Sequence, residues 1–362
     1  MWRIVLLGLV VGCSHAPLRM RTGADDAAAL KLGPVVSPVE DGRRRAPGTD
    51  EYEWWYLDGV ADDGTVVVVW FGDNWLVGTH SRRVSIEVAP PGQPTRKGAY
   101  VTDDPGSFAA ERADVHIGNN TFAGDLVRYR VTVDAAQAQG LGCDLTLDAR
   151  VAPFRPGTGL IASGDQFFAW LAAVPEGALA GSLVIDGKTV RFEGSGYHDH
   201  NWGNVEPWAL MRGWWWGRGQ VGDQTVVMSE LRPAEGLGDT NLPLVFIGDR
   251  SGSKVFRHAA ELKLVEQPGS AHGDPAYEKG PVPQGVSLVP VGGDAAATVR
   301  FTRHGAPLTS ADLLGGSSAF VRMLARIAGR SPWYSRWASE VTIEGPSGVT
   351  RGEGTLEYME FQ

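Results

Sequence analysis

Between Gly196 and Gly203 the chain reads Tyr197-His198-Asp199-His200-Asn201-Trp202, six consecutive side chains carrying a phenol, two imidazoles, a carboxylate, an amide and an indole. Such groups demand partners when buried, so the run is costly for a strand that has no task. In extended backbone the side chains alternate, which puts His198, His200 and Trp202 on one face and Tyr197, Asp199 and Asn201 on the other. One face would line a cavity and the other would brace it. Three chemistries fit. A histidine or carboxylate kept among tryptophans can act as general acid or base, because apolar surroundings raise a carboxyl pKa and lower that of an imidazole. The same groups can form a purely structural hydrogen-bonded lock. His-X-His is also a metal-ligand spacing, but His80, His116, His258, His272 and His304 are scattered and supply no third ligand, so neither metal nor cofactor is assigned.

Two aromatic stretches frame this run. Glu51-Tyr52-Glu53-Trp54-Trp55-Tyr56-Leu57-Asp58-Gly59 precedes it, and Arg212-Gly213-Trp214-Trp215-Trp216-Gly217-Arg218 follows it. Alternation sends Trp54 and Tyr56 to one face, and Glu53 and Trp55 to the other. Tryptophans often close barrel ends or fill interfaces. With a ligand present, Glu53, Trp54, Trp55, Tyr56, Trp214 and Trp216 become candidates to line an aromatic cavity, and their π-faces could steady a cation. Other signatures are missing: Ser195 lies in Glu193-Gly194-Ser195-Gly196 and fails the Gly-X-Ser-X-Gly pattern, and no phosphate loop or dinucleotide fingerprint occurs.

The elements that would hold these residues read as β. The 48 glycines, 22 prolines and 13 tryptophans among 362 residues suit turns and half-buried strands better than helices. Apolar stretches recur between turn signals at Val66 to Phe71, Val84 to Val88, Leu126 to Val133, Cys143 to Val151, Phe167 to Val174 and Gly181 to Phe192, with an Asp186-Gly187 hairpin. A second series runs from Trp214 to Val221, Thr225 to Leu231, Leu244 to Ile247, Lys254 to Val265, Ala297 to Thr302 and Val341 to Phe361. The expected architecture is all-β and mainly antiparallel, with two barrels at residues 51–193 and 194–362. One amphipathic helix is expected at 318–330, where Phe320, Met323, Leu324 and Ile327 fall at helical spacing opposite Arg322, Arg326 and Arg330.

A net charge of −9 argues against a nucleic-acid partner, which requires a basic field. Arg3, the apolar run Ile4 to Gly12 and Val10-Val11-Gly12-Cys13 make residues 1–13 a lipoprotein signal segment with a lipobox, so Cys13 is the expected lipidation site and membrane anchor. Nine apolar residues cannot span a bilayer. Residues 14–50 then read as a polar tether, and the body as an exported protein of a bacterial envelope. Ser14 after the cysteine favours the outer membrane. Cys143, the other cysteine, has no disulfide partner in prospect.

Three motifs, Glu53 to Gly59, Gly196 to Gly203 and Gly352-Glu353-Gly354-Thr355-Leu356-Glu357-Tyr358, resemble the carotenoid 1,2-hydratase (hydroxyneurosporene synthase) and AttH-like superfamily. The resemblance implies two tandem lipocalin-like barrels and an apolar, isoprenoid-like or polyketide-like ligand. It also implies either a lyase or isomerase activity or a non-catalytic carrier. In the hydratases a histidine and tryptophan matching His200 and Trp202 act with a tyrosine and an aspartate on a following strand. Here Thr225 to Glu230 offers neither tyrosine nor aspartate, and Glu230 is the candidate for a displaced carboxyl group. If the hydratase chemistry holds, Asp199 or a protonated His200 would be the acid, with Trp202 and Trp214 or Trp216 against the cation.

Overall fold

The computed structural model describes residues 16–44, 51–74, 80–292, 297–312, 331–346 and 348–361. The expected helix at 318–330 and the signal segment with Cys13 lie outside these. Two antiparallel sheets form a half-barrel and a nearly closed barrel, as the alternating apolar pattern requires.

The first sheet is built around the strand Lys188–Gly203, which carries the histidine run and lies between Tyr52–Ala61 and Gln166–Ile185. This corrects the expected boundary at 193/194: the histidine strand belongs wholly to the first sheet. The pairing is non-local, His200 opposite Trp55 and Asp199 opposite Tyr56, so local sequence does not encode it. Gln166–Ile185 is likewise one 20-residue strand rather than two, its register shifts falling between Leu171 and Gly177 around Pro175. Asp186 and Gly187 turn the chain with φ of 50° and 74°, the two left-handed residues of a tight hairpin.

In the second sheet, Met211–Val221 pairs with both Gln224–Pro233 and Gly348–Glu360, and Gly348–Glu360 pairs in turn with Trp333–Gly345. The first and last strands of this half therefore meet side by side. The span Lys254 to Val265 is broken by a turn of 3-10 helix at Ala259–Glu261, and the strand from Thr298 runs on to Asp312.

Three apolar clusters result. One fills the first sheet with Leu57, Phe71, Phe122, Leu145 and Leu171. Another fills the second with Val226, Met228, Phe301, Val341 and Leu356. The third lies in the seam between them, where Trp170 and Tyr197 of the first sheet pack with Trp216, Val227 and Phe246 of the second.

Residues 16–44 are not the free tether expected of their polarity. Arg19–Met20 pairs with Leu160–Ser163, and the Leu18 amide donates to the Leu237 carbonyl at 2.8 Å. Further on, Glu40 and Asp41 are buried, and Arg43 pairs with the buried Asp73 at 2.6 Å. Docking gives Asp73, which Arg82 already pairs at 2.9 Å, a second cation and gives the buried histidines the Asp41 carboxylate.

Candidate functional site

The histidine strand divides as alternation demands. His198, His200 and Trp202 face the interior of the first sheet with Glu53 and Trp55. Tyr197, Asp199 and Asn201 face the seam with Trp54 and Tyr56. The predicted residues thus form two sites rather than one.

The inner site is a closed ion-pair network. His198 donates from Nδ1 to the Tyr56 carbonyl at 2.8 Å, and its Nε2 lies 3.2 Å from Asp41 Oδ2. His200 Nε2 meets Glu53 Oε1 at 2.8 Å, while its Nδ1 stands 3.5 Å from Asp41 Oδ1. Tyr129 donates its hydroxyl to Asp41 at 2.5 Å, and the Trp55 indole donates to the Asp41 carbonyl at 2.9 Å. Trp55 also stacks on His200 with centroids 4.6 Å apart and planes 11° from parallel. Burial alone would lower the His198 pKa. The Asp41 charge and hydrogen bond, with the Tyr56 carbonyl, outweigh it and raise the value. Both histidines are fully buried among apolar rings. Among the described residues no group of three ligating side chains is arranged to hold a metal ion.

The seam site is organised around a carboxyl group. Asp199 Oδ2 accepts from the Tyr197 hydroxyl at 3.0 Å and the Trp170 indole at 3.1 Å, and Oδ1 accepts from the Asn201 amide at 2.8 Å. Burial pushes the Asp199 pKa up to about 7; the nearby His198 charge and the Tyr197 and Trp170 hydrogen bonds pull the other way without cancelling it. Near neutrality the group exchanges a proton readily, as a general acid must. Tyr197 stays neutral, its pKa raised first by burial and then by Asp199.

Across the seam stands a row from the second sheet. Trp216, Glu357 and Arg336 are register partners, so they share a face. Trp216 meets the Tyr197 ring edge-on at 5.2 Å, and Arg218, two residues on, places its guanidinium 5.8 Å from the same ring. Asp58 bridges the sheets, paired with both Arg218 and Arg336, while Arg336 donates to the Tyr56 hydroxyl at 2.9 Å. Burial raises the pKa of Glu357, opposed by Arg336 at 3.4 Å. Trp214 lies in the same seam against Phe361, and Trp54 against Phe168 at 6.0 Å.

No protein-family model matches the chain. A quinolone epoxide rearrangement protein of Penicillium thymicola is 30% identical over 146 residues, covering 34% of this chain and 39% of that protein. A hydroxyneurosporene dehydrogenase of Chlorobaculum tepidum is 27% identical over 221 residues, covering 49% and 55%. The chain therefore spans between 39% and 55% of the length of these curated relatives. Among solved structures, an AttH-type protein of Nitrosomonas europaea superposes with a TM-score of 0.61 at 14% identity, over 91% of this chain and all of that one. Kievitone hydratase of Nectria haematococca gives 0.61 at 15% identity, over 96% and 97%. The chain has the AttH-like fold.

Within this AttH-like fold several residues escaped the sequence reading. Asp41 lay in a stretch that looked like linker, and Trp170 in an apolar strand. Arg218 was legible, since it stands two and four residues beyond Trp216 and Trp214 on the same face. Glu230 is not a displaced partner of Asp199. It shares a register row with Trp215 and Tyr358, which face the interior of the second sheet, away from the seam. Burial pushes its pKa up to about 7 there, with Asn241 donating at 3.1 Å.

A further pair, His272 Nε2 and Ser335 Oγ at 2.6 Å, has the spacing of a nucleophile and its base. Its tautomer is wrong for that role. His272 Nδ1 accepts the Asp274 amide, so Nε2 holds the proton and donates to Ser335, which also accepts from the Trp333 indole. A cleft of about 480 Å³ opens at the hairpin end of the histidine strand, lined by Pro91, Arg96, Leu183, Lys188 and Phe192, and includes none of the predicted site residues.

Proposed function

We propose that the chain is a hydratase- or isomerase-type acid catalyst on an apolar, unsaturated small molecule, with Asp199 as the acid and the seam as the site. The observation that carries this reading is a buried carboxyl group held by hydrogen bonds from Tyr197, Trp170 and Asn201, the Tyr197 ring meeting Trp216 edge-on across the seam; burial pushes the carboxyl pKa up to about 7. Protonated Asp199 adds its proton to one carbon of a double bond, whose π-electrons form the new C–H bond and leave a cation on the other carbon. The faces of Trp170 and Tyr197, which hydrogen-bond Asp199, lower the energy of that cation. Water then adds its oxygen and returns a proton to the Asp199 carboxylate, or a neighbouring C–H loses its proton there and the double bond moves. Either path regenerates the acid. His198 and His200, held by Asp41 and Glu53, serve as the brace behind the strand. The similarity to a quinolone epoxide rearrangement protein and to kievitone hydratase supports rearrangement or hydration of a small molecule.

The decisive experiment begins with native mass spectrometry of the protein from its own host, to identify a co-purified apolar molecule. Turnover of that molecule and its unsaturated precursors is then followed in the wild type and in Asp199→Asn. Removal of a general acid lowers the rate by about 10²–10⁴-fold. Equal turnover by both proteins overturns the assignment. Binding without turnover by the wild type indicates a carrier instead.

We also propose that Cys13 carries the lipid anchor and that the protein is an envelope lipoprotein, on the strength of the lipobox-like Val10-Val11-Gly12-Cys13. Metabolic labelling with an alkynyl fatty acid should mark the wild type and not Cys13→Ser; equal labelling refutes the anchor.

A further inference from the structure

Among the described residues, the buried seam donors without a hydrogen-bond partner include Trp216 Nε1 and Arg218 Nε, beside Arg218 Nη2 and Arg336 Nε, which lie against the Asp58 and Glu357 carboxylates. Trp216 Nε1 and Arg218 Nε are both buried and both unpartnered, on side chains that are 8% and 7% exposed. They project from one face of one strand, and both side chains flank the Tyr197 ring, at 5.2 Å and 5.8 Å. Arg218 pairs with Asp58 through a terminal nitrogen, which leaves its Nε–H without an acceptor. Asp58 is shared with Arg336, so a single carboxylate serves two guanidinium groups. Leaving a buried donor unsatisfied is unfavourable, so two of them on one face of one strand, both against the Tyr197 ring, call for an acceptor.

We infer that the substrate of this site carries a carbonyl oxygen, which is bound by Trp216 Nε1–H and Arg218 Nε–H. The inference rests on the seam being the site and narrows its substrate class from any apolar alkene to an oxygenated one. A pure hydrocarbon would enclose both donors without pairing them, which the site would reject. The same charge sets the orientation. A guanidinium disfavours a carbocation beside it, so the carbonyl end lies at Arg218 and the double bond lies at the Asp199 and Trp170 end of the seam. A carbonyl oxygen, with its partial negative charge, complements Arg218, whereas an alkene does not.

The test uses two probes of matched shape, 1-indanone and indane, which differ by one carbonyl group, titrated against the whole protein by ligand-observed NMR. Wild type is expected to bind 1-indanone about tenfold more tightly than indane, the yield of two net hydrogen bonds. Arg218→Met and Trp216→Phe should each cut the 1-indanone affinity several-fold and leave indane within twofold. Two variants are needed because either one alone could disturb the Asp58 cluster, and the thermal unfolding transition of each verifies its fold. If indane binds as tightly as 1-indanone, or if the preference survives in both variants, the carbonyl inference is wrong while the seam stands as a binding site. If neither probe binds, both the seam assignment and this inference fall.

Discussion

Asp41 Oδ2 lies 3.2 Å from His198 Nε2 although 157 residues of chain separate the two. The N-terminal segment thereby completes the core of the first sheet, and its carboxylate is the counter-charge for a histidine that has no route to solvent. Removing one partner of a buried pair leaves the other uncompensated, at about 3–5 kcal/mol. Asp41→Asn is expected to lower unfolding stability by that order in urea titrations. Its pH dependence carries a sign. The His198 pKa is raised by folding, so the pair contributes fully below the unfolded imidazole value and fades as pH climbs through the folded value. Wild type should lose stability across that window more steeply than Asp41→Asn. A variant within 1 kcal/mol of wild type at pH 6 would show that the network is dispensable.

Asp199 titrates with the opposite consequence for substitution. Its folded pKa, about 7, stands well above that of an unfolded aspartate, so the native state holds a proton that the unfolded chain has released. Stability therefore falls as pH rises from about 4 to about 7, by at most about 4 kcal/mol from this group. Asp199→Asn removes the titration, and it should be less pH-sensitive and relatively more stable at pH 8 than at pH 5. Parallel urea midpoints for wild type and variant at the two pH values would contradict the assignment of a raised pKa.

The same protonation governs chemistry. The acid form of Asp199 is the competent one, so kcat/KM on the identified substrate should decline as pH rises through about 7. The inner histidines do not face the seam, so the profile should persist in a His200→Gln protein that remains folded. A profile that loses its inflection in His200→Gln would move the acid to the other face of the strand.

Much of this arrangement was legible in the sequence, and its limits are physical. Alternation correctly separated His200 from Asp199 and Trp55 from Tyr56, because the period of a strand is fixed by its backbone. The Asp186-Gly187 hairpin was legible for the same local reason. The expected boundary at 193/194 cut the histidine strand because the Asp186-Gly187 hairpin fixes only where Lys188–Gly203 starts, while its other partner, Tyr52–Ala61, is more than 120 residues away and leaves no local mark of how far the strand runs. Phe167 to Val174 and the stretch from Gly181 read as separate strands, yet Gln166–Ile185 is continuous and takes up Pro175 between its register shifts. Asp41 was hidden by polar neighbours, since a docking segment with few apolar residues has the composition of a linker. Asp58 drew no attention because its value depends on Arg218 and Arg336, which arrive from other strands.

Cys143 offers a probe of the first sheet. It is buried, and burial pushes its thiol up to about 12, so the native protein holds almost no thiolate. In a Cys13→Ser protein, labelling by a disulfide reagent at pH 8 should be negligible under native conditions and should follow the urea unfolding curve. Rapid labelling of the folded protein would mean that the strand Leu141–Ala149 opens locally.

The seam itself is testable through Asp58, which pairs with Arg218 and Arg336 at once. Asp58→Asn leaves Arg218 without its carboxylate and Arg336 with Glu357 alone, whereas Arg336→Met leaves Asp58 paired with Arg218 and lets the buried Glu357, its pKa already raised by burial, take up a proton. The first should therefore destabilise by about 3–5 kcal/mol and the second by distinctly less. In the double variant Arg218 no longer faces a second guanidinium across the missing carboxylate, so its loss should be smaller than the sum of the single losses by at least about 1 kcal/mol. Urea titrations of the four proteins supply the cycle. Additivity within about 0.5 kcal/mol would mean that the cluster does not couple the sheets, and that Trp216, Tyr197 and their apolar neighbours hold the seam closed alone.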